Sequence, residues 1–122
     1  MECKDYYDID SKYFWIYNNI FIIKTNFNNN INLLNDAIVK YKCTQIIFID
    51  YSYFRDVIKY LYVDIYYKSE IFTGSKFNNT INNINENIKH ITFGFMFNQL
   101  VDNLPNSLTH LTFGIMFNQT CG

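Results

Sequence analysis

The sequence predicts a mainly β fold, a single solenoid of about five coils with short parallel strands. Three observations carry this. Residues 88–99, IKHITFGFMFNQ, and residues 108–119, LTHLTFGIMFNQ, are identical at eight of twelve positions, at an offset of 20. Within these units Ile91–Phe93 and Leu111–Phe113 step by two, which puts both side chains on one face of a short strand. The 122 residues include one Ala and one Pro against 18 Ile, 12 Phe and 11 Tyr, a composition that suits strands and not a helical bundle.

Taken in order, residues 1–19 are expected to cover the open edge of the first coil. They carry Tyr13, Phe14, Trp15, Ile16 and Tyr17, and a parallel sheet needs its end strands protected. Residues 20–122 are the repeat region, with strands expected near 20–23, 46–49, 70–73, 90–93 and 110–113. A Phe-x-x-x-Ile marker recurs as Phe27…Ile31, Phe54…Ile58 and Phe77…Ile81, and in altered form as Phe97…Val101 and Phe117…Cys121. The Phe-to-Phe spacings are 27, 23, 20 and 20, so the first two connections are expected to carry insertions, around Lys40–Gln45 and Lys59–Tyr66. Residues 27–38 also match residues 77–88 at seven positions. The clearest repeats are 71–90, 91–110 and a partial 111–122. Gly94 and Gly114 let the chain turn out of the strand, and the polar stretch 102–107, with Pro105, reads as the return loop. The last coil is expected to leave an apolar stripe and an unpaired edge at 108–117, which either frays or pairs with another chain, with Cys121 near that seam.

Composition excludes several function classes. Ten Lys and Arg against eleven Asp and Glu give a net charge of −1, so no basic surplus exists to grip nucleic acid or anionic lipid. The longest aliphatic runs, Ile20–Ile23 and Ile46–Ile49, are far shorter than the ~20 apolar residues of a membrane helix. Met1–Asp5 is acidic and leads into tyrosines, unlike a secretory leader. Cys3, Cys43 and Cys121 are far apart and form no Cys-x-x-Cys. A cytoplasmic protein with free thiols, no cofactor and no metal is expected. No Gly-rich phosphate loop, Gly-x-Ser-x-Gly or His-Glu-x-x-His occurs, and Asp50, Asp56 and Asp64 are too loosely spaced for an acid/base pair. The chain is therefore expected not to be an enzyme.

The repeat columns supply the candidate residues. Asn28, Asn78, Asn98 and Asn118 are expected to hydrogen-bond the backbone of adjoining turns, where loop amides lack ladder partners. Asn78-Asn79-Thr80 and Asn118-Gln119-Thr120 are formal glycosylation acceptors, a reading set aside without a secretory leader. Phe77, Phe97 and Phe117, with Phe93 and Phe113, are expected to stack as core. His90 and His110 fall on adjacent strands about 4.8 Å apart. Two imidazoles, with Glu70 the sole carboxylate of their column, are read as solvent-facing rather than as a metal site. The expected partner face is Glu70, Phe72, His90, Thr92, His110 and Thr112, the residues alternating with the core ones. Tyr62 and Tyr66, in a tyrosine-rich insertion with Tyr60 and Tyr67, are a second candidate for protein recognition.

The segment LPNSLTHLTFGIMFNQ, 104–119, resembles the FNIP repeat, a leucine-rich-repeat relative of amoebae and giant DNA viruses. The likeness is close over 84–119, recognisable over 71–83 and weak over 20–70. Phe77, Asn78 and Ile81 match the family's name-giving element. The resemblance implies an α/β-horseshoe-like, leucine-rich-repeat-like solenoid used for protein binding, in the host cytoplasm if the chain is viral. Family members often carry an N-terminal F-box that docks to a ubiquitin ligase, whereas residues 1–20 have no Leu-Pro start and no helical F-box pattern. The expected function is a non-enzymatic scaffold for an unknown protein partner. The alternatives are a degenerate or truncated repeat copy with little activity, or a ubiquitin-ligase substrate adaptor.

Overall fold

In a computed structural model the described residues are 9–49 and 74–119. They form a strand-rich sheet with one short helix. In chain order the elements are β1 (Ile9–Asp10), β2 (Phe14–Tyr17), β3 (Ile20–Ile23), a 3₁₀ turn (Ile31–Leu34), α1 (Asn35–Lys40), β4 (Gln45–Phe48), β5 (His90–Thr92) and β6 (His110–Thr112). The six strands lie side by side in sequence order. The first two pairings are antiparallel and the last three parallel.

The antiparallel part follows from local chemistry. Apolar Phe14–Tyr17 and Ile20–Ile23 are separated by Asn18-Asn19, and Asn18 takes a φ of 55°, a left-handed conformation that Asn tolerates in a two-residue hairpin. Register pairs Trp15 with Ile22 and Ile16 with Phe21, and all four side chains are buried. The described part of the N-terminal segment therefore lies along the edge of β3.

After β3 the chain returns through the 3₁₀ turn and α1. Asn30 caps this turn, its side chain accepting from the Asn32 N–H at 2.9 Å. Ile31, Leu34 and Ile38 face the core at helical spacing. The helix stops where Lys42 adopts φ 56° and Cys43 N–H reaches back to the Ile38 carbonyl at 3.0 Å, a C-terminal cap usually built on Gly. Sequence periodicity did not reveal this helix. It occupies five residues more than the return path of the later repeats.

From β3 onward each strand stacks in parallel on the previous one, and the same backbone bonds recur between layers. Thr44 N–H donates to Asn19, Lys89 to Thr44 and Thr109 to Lys89, all at 2.7–2.8 Å. Past the strands, Lys76 N–H donates to Thr25, Met96 to Ser75 and Met116 to Phe95, at 3.0–3.3 Å. Two columns of rings run through the layers. Phe27, Phe77, Phe97 and Phe117 stack at centroid spacings of 5.9, 5.9 and 6.1 Å. Phe48, Phe93 and Phe113 stack beside them at 5.5 and 5.7 Å. A Cβ on Gly114 would collide with the carbonyl group of Gly94, its carbon 2.7 Å away, so the two backbones approach as only glycine permits.

The register corrects two expectations. Strands 20–23, 90–93 and 110–113 appear as β3, β5 and β6, with the last two one residue shorter, and the strand expected at 46–49 is β4, one residue earlier. The strand expected at 70–73 lies outside the described residues, and the place it was to fill is closed, because β4 pairs directly with β5, Gln45 opposite His90. Likewise Phe27 stacks directly on Phe77, with no layer between them, and Phe54 and Ile58 lie outside the described residues. The described stack has four Phe-Asn layers, not five. The cause is a 25-residue insertion at 50–74, wider than the one expected around 59–66. Ile49 N–H bonds the Ile23 carbonyl and Lys76 N–H bonds that of Thr25, so Ile49 and Ser75 hold consecutive places in one layer.

Candidate binding face and asparagine ladder

Alternation along β4, β5 and β6 turns Ile46, Phe48 and Ile91 into the core and leaves Gln45, Ile47, His90, Thr92, His110 and Thr112 on the other face. Gln45, Ile47, His90 and Thr92 are half-buried, and His110 and Thr112 are exposed. Register places Gln45, His90 and His110 in one row and Ile47, Thr92 and Thr112 in the next. The seat beside His90 that the sequence offset gave to Glu70 is held by Gln45, and the one given to Phe72 is held by Ile47. Glu70, Phe72, Tyr62 and Tyr66 lie outside the described residues.

The two imidazoles stack, with centroids 4.2 Å apart and planes inclined by 20°. Thr109 Oγ1 lies 2.9 Å from His110 Nδ1. Ring-nitrogen lone pairs lie in the ring planes, so in two stacked rings they run side by side and do not converge on a point about 2.0–2.1 Å from each, as zinc requires. Among the described residues no group of three or more His, Cys, Asp or Glu could hold a metal ion. The face therefore offers hydrogen-bonding groups and flat ring surface, with no Asp, Glu, Lys or Arg among Gln45, Ile47, His90, Thr92, His110 and Thr112.

The Asn column forms a ladder at one corner of the stack. Asn28 Oδ1 accepts from Asn78 N–H at 2.9 Å, Asn78 Oδ1 from Asn98 N–H at 2.8 Å, and Asn98 Oδ1 from Asn118 N–H at 2.8 Å. Each oxygen takes a second bond from the next residue of the coil above, from Asn79, Gln99 and Gln119 in turn, at 2.8, 3.1 and 3.0 Å. The pair of amide residues, Asn78-Asn79, Asn98-Gln99 or Asn118-Gln119, thus satisfies one loop amide per layer and pins each layer to its neighbour. These bonds lie at the surface, not in the core.

Sequence reasoning missed a polar groove of about 550 Å³ at the return corners, lined by Asn82, Asn83, Glu86, Asp102, Asn103 and Asn106 among others. Its signal was present as polar pairs at the same offset of 20, Asn82 with Asp102 and Asn83 with Asn103. The buried Oδ1 of Asn82 has no hydrogen-bond partner among the described residues.

Residues 77–115 match the family model described as FNIP Repeat. No curated protein matches the chain, and no solved structure does. No described helix is long and apolar enough to cross a membrane.

Proposed function

We propose that this FNIP repeat-containing protein is a non-enzymatic scaffold that binds a protein partner on its outward strand face. The stacked layers then make a short leucine-rich-repeat-like solenoid, a fold whose extended faces suit partner binding, with residues 1–19 as its N-terminal cap. The observation that carries the reading is the in-register row Gln45–His90–His110 beside Ile47–Thr92–Thr112. Side chains presented in register from a hydrogen-bonded sheet need little backbone reordering on binding, which leaves more of the contact energy as affinity. The proposal includes a cytoplasmic setting, which suits a chain whose three cysteines form no Cys-x-x-Cys. Residues 9–23 form strands and not the helices of an F-box, so a ubiquitin-ligase adaptor role would not rest on this segment.

The test pairs His90→Ala with His110→Ala. Capture of co-purifying proteins, identified by mass spectrometry, should be lost while the melting temperature stays within about 2 °C, as for surface substitutions. A large fall in stability would make the stacked imidazoles structural. Undiminished capture in a folded variant would remove the strand face as the binding site.

A further inference from the structure

We propose that the exposed edge of β6 pairs with the β6 of a second copy of this chain, antiparallel about a two-fold axis at Leu111. The two ends of the sheet differ. At the first, β2 lies antiparallel on β3 and the outermost strand, β1, is two residues long. At the other end β6 is unpaired among the described residues. His110 N–H and Thr112 C=O are engaged with the preceding layer, at 3.1 and 2.9 Å. Alternation along the strand therefore turns the N–H and C=O of Leu111 outward.

The apolar surface lies at the same end. Of the seven exposed large hydrophobic residues described, Met96, Leu100, Leu111, Ile115 and Met116 belong to the last two layers. Leu111 is 36% exposed, whereas its counterpart one layer inward, Ile91, is 1% exposed. The neighbouring corner changes character along the stack, from Thr25-Asn26 and Ser75-Lys76 to Phe95-Met96 and Ile115-Met116.

Charge selects the occupant. Between residues 90 and 119 the only Lys, Arg, Asp or Glu is Asp102. Edge strands of monomers are ordinarily guarded by a Lys, a Pro or an inward charge, and β6, His-Leu-Thr, has none. An uncharged edge offers nothing to steer a charged peptide and nothing to repel its own copy. Because the opposite end presents the two-residue β1 of an antiparallel hairpin and not the parallel surface on which β6 stacks, head-to-tail stacking does not propagate. A two-fold axis uses the same face twice and closes the assembly. With Leu111 opposite Leu111, each copy gives and accepts one backbone bond at the axis, and Ile115 and Met116 flank the seam. This surface is separate from the outward face of the preceding subsection, and either can fail without the other.

The experiment is sedimentation equilibrium of residues 1–122 across a concentration series, with three variants. The weight-average mass should climb toward twice the monomer's. In a Cys3→Ser, Cys121→Ser background, Leu111→Cys should give a disulfide-linked dimer, since Cα atoms of such a pair lie about 5.5 Å apart, and Asn106→Cys should not. Ile115→Lys with Met116→Lys should weaken dimerisation about tenfold or more while circular dichroism stays unchanged, and Leu33→Lys, at the far end, should leave it intact. A monomer at every concentration would overturn the proposal. So would a dimer that neither cross-links through Leu111→Cys nor responds to the two lysines.

Discussion

Phe97→Ala and Phe117→Ala delete the same ring from the same motif, yet the structure assigns them different costs. Phe97 is fully buried and has rings on three sides, Phe93 at 3.8 Å, Phe77 at 5.9 Å and Phe117 at 6.1 Å. Phe117 has Phe113 at 3.8 Å and Phe97 below it, and is half-buried. Removing about 150 Å² of buried ring at ~25 cal/mol per Å² costs about 4 kcal/mol at Phe97, within the usual range for Phe→Ala in a core. Half that area predicts about 2 kcal/mol at Phe117. Urea unfolding followed by circular dichroism measures both, provided the slopes agree, since the midpoint then reports stability alone. A cost below about 1 kcal/mol at Phe97 would show that the ring column is not core. Equal costs at the two sites would show that burial does not fall toward the last layer.

The ladder and the insertion give two further tests. Asn98→Ala removes an oxygen that accepts two bonds and should cost about 1 kcal/mol, a modest sum because water reaches the freed groups, whereas Asn98→Asp keeps the acceptor and should cost less than half as much; thermal melts that rank the two alike would exclude the acceptor as the cause. Excising residues 50–74 joins Ile49 to Ser75 and gives this layer the corner length of Phe93–Phe97, so the variant should fold cooperatively with an unchanged strand signature in circular dichroism, and an unfolded product would refute the assigned register.

Most of the strand stack was legible because each layer repeats the chemistry of its neighbour. The offset of 20 carried β5, β6, the Phe77–Phe97–Phe117 and Phe93–Phe113 stacks and the Asn78–Asn98–Asn118 rungs directly from sequence to register, whereas Phe27 and Asn28 join at an offset of 50 and Phe48 at 45. The second layer was misread because its sequence is divided. Its strand, 45–48, and its Phe-Asn corner, 77–78, are separated by the insertion. The correct signal was the match of 27–38 to 77–88, an offset of 50 that spans one coil, the five extra residues of the helical return and the 25 inserted. The competing signal, Phe54…Ile58, rests on two residues, and in a chain with 12 Phe and 18 Ile such a pair arises by chance about twice. The displaced partners of His90 and Thr92 follow from the same error. The α1 helix was hidden for another reason. It is six residues long, about the length at which periodicity carries no information and packing decides.

The layers also show that sequence quality and burial are separate quantities. Residues 108–119 repeat the motif as faithfully as any stretch of the chain, yet Phe113 and Phe117 are only half-buried, whereas Phe93 and Phe97, in the same motif, are fully buried. A coil one strand wide cannot enclose its own apolar stripe, so its stability is lent by the layers on either side. The insertion obeys the same rule. A 25-residue detour is tolerated because Ile49 and Lys76 each bond the first coil, and lengthening a loop between fixed ends adds only about 0.6 kcal/mol per doubling. Interlayer bonds, and not continuity of the chain within a layer, hold this fold together. An exposed layer bearing the same unspent acceptors and apolar stripe is the feature on which the proposed pairing with a second copy rests.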